Sequence, residues 1–244
     1  MGRAWKSLLP DGTSVTKEFN LTGTRKKSYG SRQYPVAFTY DGQGRKLTMK
    51  TLTNFQANTG AAVTTWNLDS QRGWVASKRD ATNLGCDYTY TPSGRLLTRT
   101  WARGNPRIST TYSYNTAGEL SGADYSDSTP DISYTYDRRG HQETCVQNGM
   151  TTTRYFNAAG LQIGESYSGG TLGGLAITNL YDNLLRRTDV IAKNGGTTLS
   201  AAGYGYDNAS RMNAVSDGTY SAAYSYVDNS PLIGQIDFKQ NSSP

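Results

Sequence analysis

The stretch YTYTPSGRLL, residues 88–97, decides the fold, because each of its parts has a local structural meaning. Tyr88 and Tyr90 are two positions apart, so in a β-strand both rings point to the same face. A turn-forming residue follows. Gly94, three residues further on, can supply the positive φ that closes a type I turn with a glycine bulge. The chain then returns through Arg95 as a second strand. These ten residues therefore predict a β-hairpin.

The same pattern recurs along the chain. Nine segments align on the second aromatic position, which we call the anchor: Tyr40, Leu68, Tyr90, Tyr114, Tyr136, Phe156, Tyr181, Tyr206 and Tyr226. Successive anchors are about 23 residues apart on average, a period typical of solenoids, propellers and other repeat arrays. A single hairpin is marginally stable in water, so neighbouring hairpins are expected to pair edge to edge.

Each segment carries parts of one signature: two aromatics, an Asp or Asn that can bond the amides ahead of it, a glycine and a basic residue. The residues that match it are Tyr40, Asp41, Gly44, Arg45, Tyr88, Tyr90, Gly94, Arg95, Tyr112, Tyr114, Gly118, Tyr134, Tyr136, Asp137, Gly140, Phe156, Gly160, Tyr181, Asp182, Tyr204, Tyr206, Asp207, Arg211, Tyr224 and Tyr226. Their regular recurrence is what packing requires, so we expect them to be structural rather than catalytic.

Some segments depart from the signature. Leu68 replaces the anchor aromatic, and its turn carries arginine and glycine in swapped order, as Arg72-Gly73. Leu185 and Ser210 stand where the turn glycine is expected, and Val227 takes the aspartate position. We expect these turns to differ in geometry from the others. The longest interval, between the first two anchors, is expected to hold a longer loop or a wider hairpin.

The repeat predicts an all-β fold: tandem β-hairpin repeats of about 23 residues that form an open, curved or spiralling, solenoid-like β-strip. Residues 1–35 would be a lead-in or partial repeat, 36–236 an array of about nine hairpins, and 237–244 a truncated end. Nine hairpins give roughly eighteen strands, and we expect an elongated or crescent-shaped particle with the aromatic rows on its concave side. A propeller of five blades of about 46 residues is the arithmetic alternative.

Composition limits the possible functions. The chain has 244 residues with 18 Tyr and 27 Gly, which favours strands and tight turns. It has no apolar run long enough for a membrane helix, and its first residues lack the apolar segment of a secretory signal. The net charge is +6, but the basic residues are scattered, so we expect no nucleic-acid partner.

Little in the sequence suggests chemistry. With one histidine, His141, two-histidine zinc sites are impossible within the chain, and histidine-based catalysis would depend on a residue that occupies the arginine position of a turn. Cys86 and Cys145 are far apart in sequence and are expected to be free thiols. We therefore predict no catalytic residue, no metal and no cofactor.

The string Y-x-Y-D-x-x-G-R-L is the signature of the RHS/YD-repeat family, and FTYDGQGRKLT, YTYTPSGRLLTRTW and YGYDNASRMNAV resemble it closely. The resemblance covers about residues 36–236. The RHS/YD-repeat family includes bacterial polymorphic toxins, insecticidal toxin complexes and teneurins, in which the repeats form a β-strip that spirals into a hollow shell. For this chain it implies a structural segment of a larger secreted or surface protein. The implied partners are neighbouring repeats and an enclosed toxin or cargo domain.

A carbohydrate-binding or adhesive module is the alternative function. Tyrosine and tryptophan rings can stack on sugars, and Trp66, Trp74 and Trp101 add ring area to the tyrosine rows. Glycans would then be the partner. The competing explanation is that the rings pack on one another within the sheet face. An enzyme is the third and weakest hypothesis.

Overall fold

The chain is all-β. The computed structural model describes residues 3–54, 57 and 59–240, and in this part of the chain 21 strands form one open antiparallel sheet without helices. The predicted fold of tandem hairpins in an open sheet is confirmed. The propeller alternative is wrong, because its blades would be separate sheets.

Two groups of strands follow one another along the chain. The first ten are β1 (Lys6–Leu8), β2 (Ser14–Phe19), β3 (Arg25–Gly30), β4 (Gln33–Tyr40), β5 (Lys46–Asn54), β6 (Thr59–Leu68), β7 (Val75–Arg79), β8 (Gly85–Tyr90), β9 (Leu96–Thr100) and β10 (Ser109–Tyr114). The others are β11 (Leu120–Tyr125), β12 (Ile132–Tyr136), β13 (Gln142–Gln147), β14 (Met150–Phe156), β15 (Gln162–Ser168), β16 (Leu175–Tyr181), β17 (Arg187–Asn194), β18 (Thr197–Tyr206), β19 (Met212–Ser216), β20 (Tyr220–Tyr226) and β21 (Ile233–Gln240).

The chain forms two compact units. The first comprises Met1–Tyr112 and Tyr125–Thr129, and the second Ser113–Asp124 and Pro130–Pro244. In the first unit, each strand from β1 to β10 pairs antiparallel with the next. In the second, the same holds from β11 to β21. Strand order therefore follows chain order within each unit.

Most of the hairpin turns share one geometry, illustrated by the turn between β4 and β5. The amide of Asp41 donates to the carbonyl of Arg45 at 2.9 Å, and the amide of Gly44 donates to the carbonyl of Asp41 at 3.0 Å. The register shifts at Tyr40, which faces Lys46, so an extra residue bulges at the turn exit. Gly44 has a φ of 81°. This is the predicted type I turn closed by a glycine bulge.

The positive φ predicted for three turn glycines is confirmed, since Gly94, Gly118 and Gly140 have φ values of 86°, 88° and 83°. The expectation of a different geometry where glycine is replaced is wrong for two turns. Leu185 and Ser210 adopt φ values of 62° and 61° and make the same backbone bonds as the glycines. The surrounding hydrogen bonds impose a left-handed conformation that costs a non-glycine residue about 1–2 kcal/mol.

Two turns do differ, as expected, because each is one residue longer. Between β6 and β7, the amide of Asp69 donates to the carbonyl of Trp74 at 2.8 Å, and Gly73 has a φ of 72°. Between β20 and β21, the amide of Val227 donates to the carbonyl of Leu232 at 2.9 Å. The swapped or missing signature residues thus shift the bulge by one position.

The strand count exceeds the expected eighteen because β1, β2 and β3 precede the first hairpin with an anchor. A turn of the common type joins β2 to β3, where the amide of Asn20 bonds the carbonyl of Thr24. The interval between the first two anchors holds a long hairpin, with pairing that extends to Asn54 opposite Thr59. The turn residues 55, 56 and 58 lie outside the described part of the chain.

Neither face of the sheet encloses a large core. Only Leu52 and Ala123 are buried apolar residues among those that the structure describes. The accessible surface is 16058 Å², whereas a compact protein of this mass exposes about 11,000 Å². The stability of each unit therefore depends on strand pairing and on contacts between neighbouring rows of side chains. These rows are where a functional surface should be sought.

Candidate functional site: the aromatic face of the hairpin repeats

The anchor tyrosines tie each hairpin to the one before it. Six of them donate their hydroxyl to the backbone carbonyl of the first residue of a preceding return strand, at 2.7–3.1 Å. The donor and acceptor pairs are Tyr40 and Arg25, Tyr90 and Val75, Tyr136 and Leu120, Tyr181 and Gln162, Tyr206 and Arg187, and Tyr226 and Met212. Because the sequence separations vary, this regular contact was not evident from the sequence.

The carboxylates of the turn aspartates accept hydrogen bonds from their own turns. Oδ1 of Asp207 accepts the amides of Ala209 and Arg211, each at 2.9 Å, and Oδ2 accepts Nε of Arg211 at 2.7 Å. The amide and guanidinium of Arg211 hold the pKa of the Asp207 carboxyl below its ordinary value, against the opposing effect of desolvation. Asp41 and Asp182 have the same set of bonds. These carboxylates cap turns and neutralise a cation.

The turn arginines also reach the next repeat. The guanidinium of Arg186 lies 4.8 Å from the ring centre of Tyr206, and that of Arg211 lies 4.2 Å from the ring centre of Tyr226. Arg211 also donates through Nη1 to the carbonyl of Ser230 at 2.7 Å. One arginine therefore joins the aspartate of its own turn to the anchor ring of the following hairpin, a cation–π contact in addition to an ion pair.

His141 performs both parts of this arginine role. Its Nδ1 lies 2.9 Å from Oδ2 of Asp137, and its ring stacks on Phe156 with a centroid distance of 4.6 Å and an interplanar angle of 18°. The side-chain hydrogen bond with His141 lowers the pKa of Asp137. The only histidine of the chain thus lies in a turn and contacts two repeats. Its Nδ1 atom and one face of its ring both make structural contacts.

The first aromatics of the signature lie on the anchor face. Tyr88, Tyr112, Tyr134, Tyr204 and Tyr224 are all half-buried, and the residue that follows each of them is exposed except Gly205, which is half-buried. The opposite face carries hydroxyl pairs across the hairpins. Their Oγ1 atoms lie 2.6–2.7 Å apart, and the pairs are Thr39 with Thr48, Thr89 with Thr98 and Thr135 with Thr144. The sheet therefore has an aromatic face and a hydroxyl face.

The remaining signature residues complete the turns. Gly160 has a φ of 80°, like the other turn glycines. The amide of Arg95 donates to Oγ1 of Thr91 at 3.1 Å, where threonine replaces the turn aspartate. Tyr114 is half-buried at its anchor position. The signature residues thus meet around each turn, whereas the contacts between repeats were missed by sequence reasoning.

One stretch of the aromatic face differs from the rest. Strands β6 to β9 and the residues that flank them hold three of the four tryptophans. The Nζ atoms of Lys46 and Lys78 each lie 5.4 Å from the Trp66 ring centre, and the Arg99 guanidinium lies 3.5 Å from that of Trp101. At the centre of this region, burial raises the pKa of the Tyr88 hydroxyl.

The described residues offer no metal centre, since no group of three or more His, Cys, Asp and Glu side chains converges among them. Cys86 and Cys145 are free, as predicted. Within the part of the chain that the structure describes, no helix has the length and apolar character needed to cross a membrane.

Comparison with known proteins gives matches in structure alone. No family profile and no curated protein sequence matches the chain. The Photorhabdus luminescens Tc holotoxin pore is similar over 97% of this chain and 15% of its own, with a TM-score of 0.63 and 14% identity. The crystal structure of TcdB2-TccC3 is similar over 98% of this chain and 16% of its own, with a TM-score of 0.61 and 13% identity. The fold is that of the RHS/YD repeat.

The RHS/YD resemblance seen in the sequence is thereby confirmed at the level of the fold. A crystal structure of TcdB2-TccC3-Cdc42 gives a TM-score of 0.62 at 14% identity, over 96% of this chain and 15% of that chain. The chain thus spans about 15% of the length of the structures that it matches. At this identity the likeness defines the fold of the RHS/YD repeats and leaves their function to be argued from the residues.

Proposed function

We propose that the chain is a structural segment of a larger RHS/YD-repeat protein, in which it contributes to a shell or scaffold that encloses or displays cargo. The observation that carries this proposal is the use of the signature side chains. The Tyr206 hydroxyl, the Asp207 carboxylate and the Arg211 guanidinium all bind groups within the repeat array. Side chains committed in this way are suited to building a surface rather than to turning over a substrate.

The function proposed here is non-enzymatic. The groups that most often serve as acids, bases and nucleophiles are already paired, as the Asp137 and His141 pair shows. The proposed partners are the neighbouring repeats of a longer chain and an enclosed toxin or other cargo domain. The fold shared with Tc toxin structures supports this assignment. By the same analogy, the full-length protein would be secreted or displayed at the cell surface.

The proposal can be tested by limited proteolysis of the full-length protein that contains these repeats. A domain enclosed by the shell should remain intact while the same domain, expressed alone, is cleaved. Loosening the array through Tyr136→Phe combined with Tyr206→Phe should speed its cleavage, because two bonds between repeats are lost. Equal cleavage rates with and without the repeat region would contradict enclosure. Labelling of intact cells with a membrane-impermeant reagent would test surface display.

A further inference from the structure

Two asparagines of the second unit are followed directly by glycine, in the pairs Asn148-Gly149 and Asn194-Gly195, and the sequence contains no other pair of this kind. Asparagine is a chemically labile residue, and most of all before glycine. The amide nitrogen of the glycine can attack the side-chain carbonyl carbon of the asparagine, and glycine has no side chain that hinders the approach. The structure places the two pairs in different surroundings, so their chemical stability in the folded chain should differ.

The pair Asn148-Gly149 forms the whole turn between β13 and β14. The φ values of 50° at Asn148 and 71° at Gly149 are the two positive values of a type I′ turn, and Gln147 pairs with Met150 on either side of it. Both turn residues are exposed. Among the described residues, neither the Gly149 amide nor the Asn148 side chain has a hydrogen-bond partner. The attacking nitrogen and the carbonyl that it attacks are therefore not held by other groups.

The pair Asn194-Gly195 is held by its neighbours. Asn194 is the last residue of β17, where it lies opposite Leu175 of β16 and Thr197 of β18. The amide of Gly195 donates to the carbonyl of Gly174 at 3.0 Å. Its nitrogen must lose this partner before it can attack the asparagine. The reaction at Asn194 therefore requires this part of the sheet to open first.

The Asp-Gly pairs of the chain are less reactive for a different reason. Oδ1 of Asp11, Asp41 and Asp217 each accepts a backbone amide of its own turn. An ionised carboxylate is also attacked by a nucleophile less readily than the carbonyl carbon of an amide. Among these pairs, the exposed turn between β13 and β14 is thus the most reactive.

We propose that Asn148 is the site at which the folded chain deamidates, through a succinimide formed with Gly149. The Gly149 nitrogen forms a bond to Cγ of Asn148 while the bond from Cγ to Nδ2 breaks. Nδ2 then leaves as ammonia with the proton of the Gly149 amide. Water opens the ring at either carbonyl, which gives aspartate or, when water attacks the main-chain carbonyl, isoaspartate.

Both products change the turn. Each adds a negative charge at position 148, and isoaspartate also leads the main chain through Cβ, which lengthens the backbone of a two-residue turn. The pairing of Gln147 with Met150 depends on that turn. This inference goes beyond the structural function proposed above and does not depend on it.

The test is timed incubation of the whole folded chain in mildly alkaline buffer made with heavy-oxygen water, followed by peptide mapping with mass spectrometry. Asn148 should be converted at least about tenfold faster than Asn194, with heavy oxygen in the product and with the aspartate and isoaspartate forms resolved. Short synthetic peptides around each pair give the intrinsic rates. In concentrated urea, the two rates divided by those of their peptides should become equal, because Gly195 then loses its protecting bond.

Asn148→Gly is the control variant, since a Gly-Gly pair adopts the positive φ values of the turn and removes the amide that reacts. Ammonia release from this variant should fall well below that of the parent, and circular dichroism checks that it is folded. Three results would overturn the proposal: equal conversion of both asparagines in the folded chain, a difference that persists in urea, or unchanged ammonia release from the variant. If the variant does not fold, the comparison of the two asparagines within the parent chain decides.

Discussion

The hydroxyl of Tyr136 donates a hydrogen bond of 2.8 Å to the backbone carbonyl of Leu120. Tyr136 is an anchor at the end of β12, whereas Leu120 begins β11, so the bond joins two neighbouring strands of the second unit that belong to successive repeats. In repeat proteins, stability is approximately the sum of what each repeat contributes and what neighbouring repeats contribute to one another. The anchor tyrosines are therefore a direct means of measuring the coupling between repeats.

The first prediction concerns this bond. Tyr136→Phe should lower the free energy of unfolding by about 1 kcal/mol, because the partly buried carbonyl of Leu120 loses its donor. Tyr155→Phe is the matched control, since Tyr155 is 50% exposed and its hydroxyl pairs with Ser166 at the surface. The control should change stability by less than about 0.5 kcal/mol. Urea denaturation measures both. Equal losses would show that the anchor hydroxyl does not couple the repeats.

The second prediction concerns the turn glycines. Gly94→Val should destabilise the chain by more than about 1 kcal/mol, because a β-branched residue is strained at a φ of 86° and its Cβ would approach the Trp74 ring. Gly42 lies in a turn of the same type but has no positive φ and open space around it. Gly42→Val should therefore be nearly neutral. Denaturation midpoints that match for both variants would contradict the turn assignment.

The third prediction uses a turn that lacks glycine. Leu185 has a φ of 62° and is 53% exposed, so it bears backbone strain without much compensating burial. Leu185→Asn should raise the free energy of unfolding by about 1 kcal/mol, since asparagine tolerates the left-handed region. Leu184→Asn, one position earlier and 67% exposed, should give no gain. Thermal unfolding distinguishes the two variants. An equal shift in their melting temperatures would mean that the gain comes from removing an exposed apolar side chain rather than from relief of the strained φ.

The local part of the fold could be predicted from the sequence because it depends on neighbouring residues. The aromatic pair Tyr134 and Tyr136, the turn Asp137 and the bulge Gly140 specify a hairpin within seven residues, and these hairpins are present. The hairpin that starts at Asn20 escaped the prediction because a single aromatic precedes its turn. The wrong prediction for the turn at Leu185 has a related cause. Oδ1 of Asp182 accepts hydrogen bonds from backbone amides of this turn, and these bonds hold its geometry although the glycine is missing.

The contacts between repeats could not be predicted, because they depend on which hairpin edges meet. Nothing local to Arg211 indicates that it lies over the ring of Tyr226, fifteen residues further on. The cross-strand neighbours Trp66 with Lys78 and Tyr88 with Arg99 have the same origin, since the sheet register sets them opposite each other. Tryptophan enrichment between residues 66 and 101 was visible in the sequence, but the cations that lie over these rings were not.

The last prediction concerns pH. The pKa of Asp207 is lowered in the folded chain, chiefly by the amide and guanidinium of Arg211. A carboxyl with a depressed folded pKa contributes stability above its unfolded pKa of about 3.9, and this contribution disappears as the pH falls through the folded pKa. The pKa values of Asp41 and Asp182 are lowered too, so the melting temperature should fall as the medium becomes acidic below about pH 5.

Asp207→Asn isolates one such carboxyl. The asparagine oxygen can still accept the amides of Ala209 and Arg211, as Asn157 accepts those of Ala159 and Leu161 in its own turn. The variant should therefore fold, but it should be less stable than the parent at neutral pH, and the difference should vanish in acid because the parent carboxyl is then protonated. Thermal denaturation across a pH series measures this convergence. Asp228→Asn, at an exposed position in the last turn, should keep the parent's pH profile. A gap between Asp207→Asn and the parent that persists undiminished in acid would mean that the ion pair with Arg211 does not stabilise the repeat.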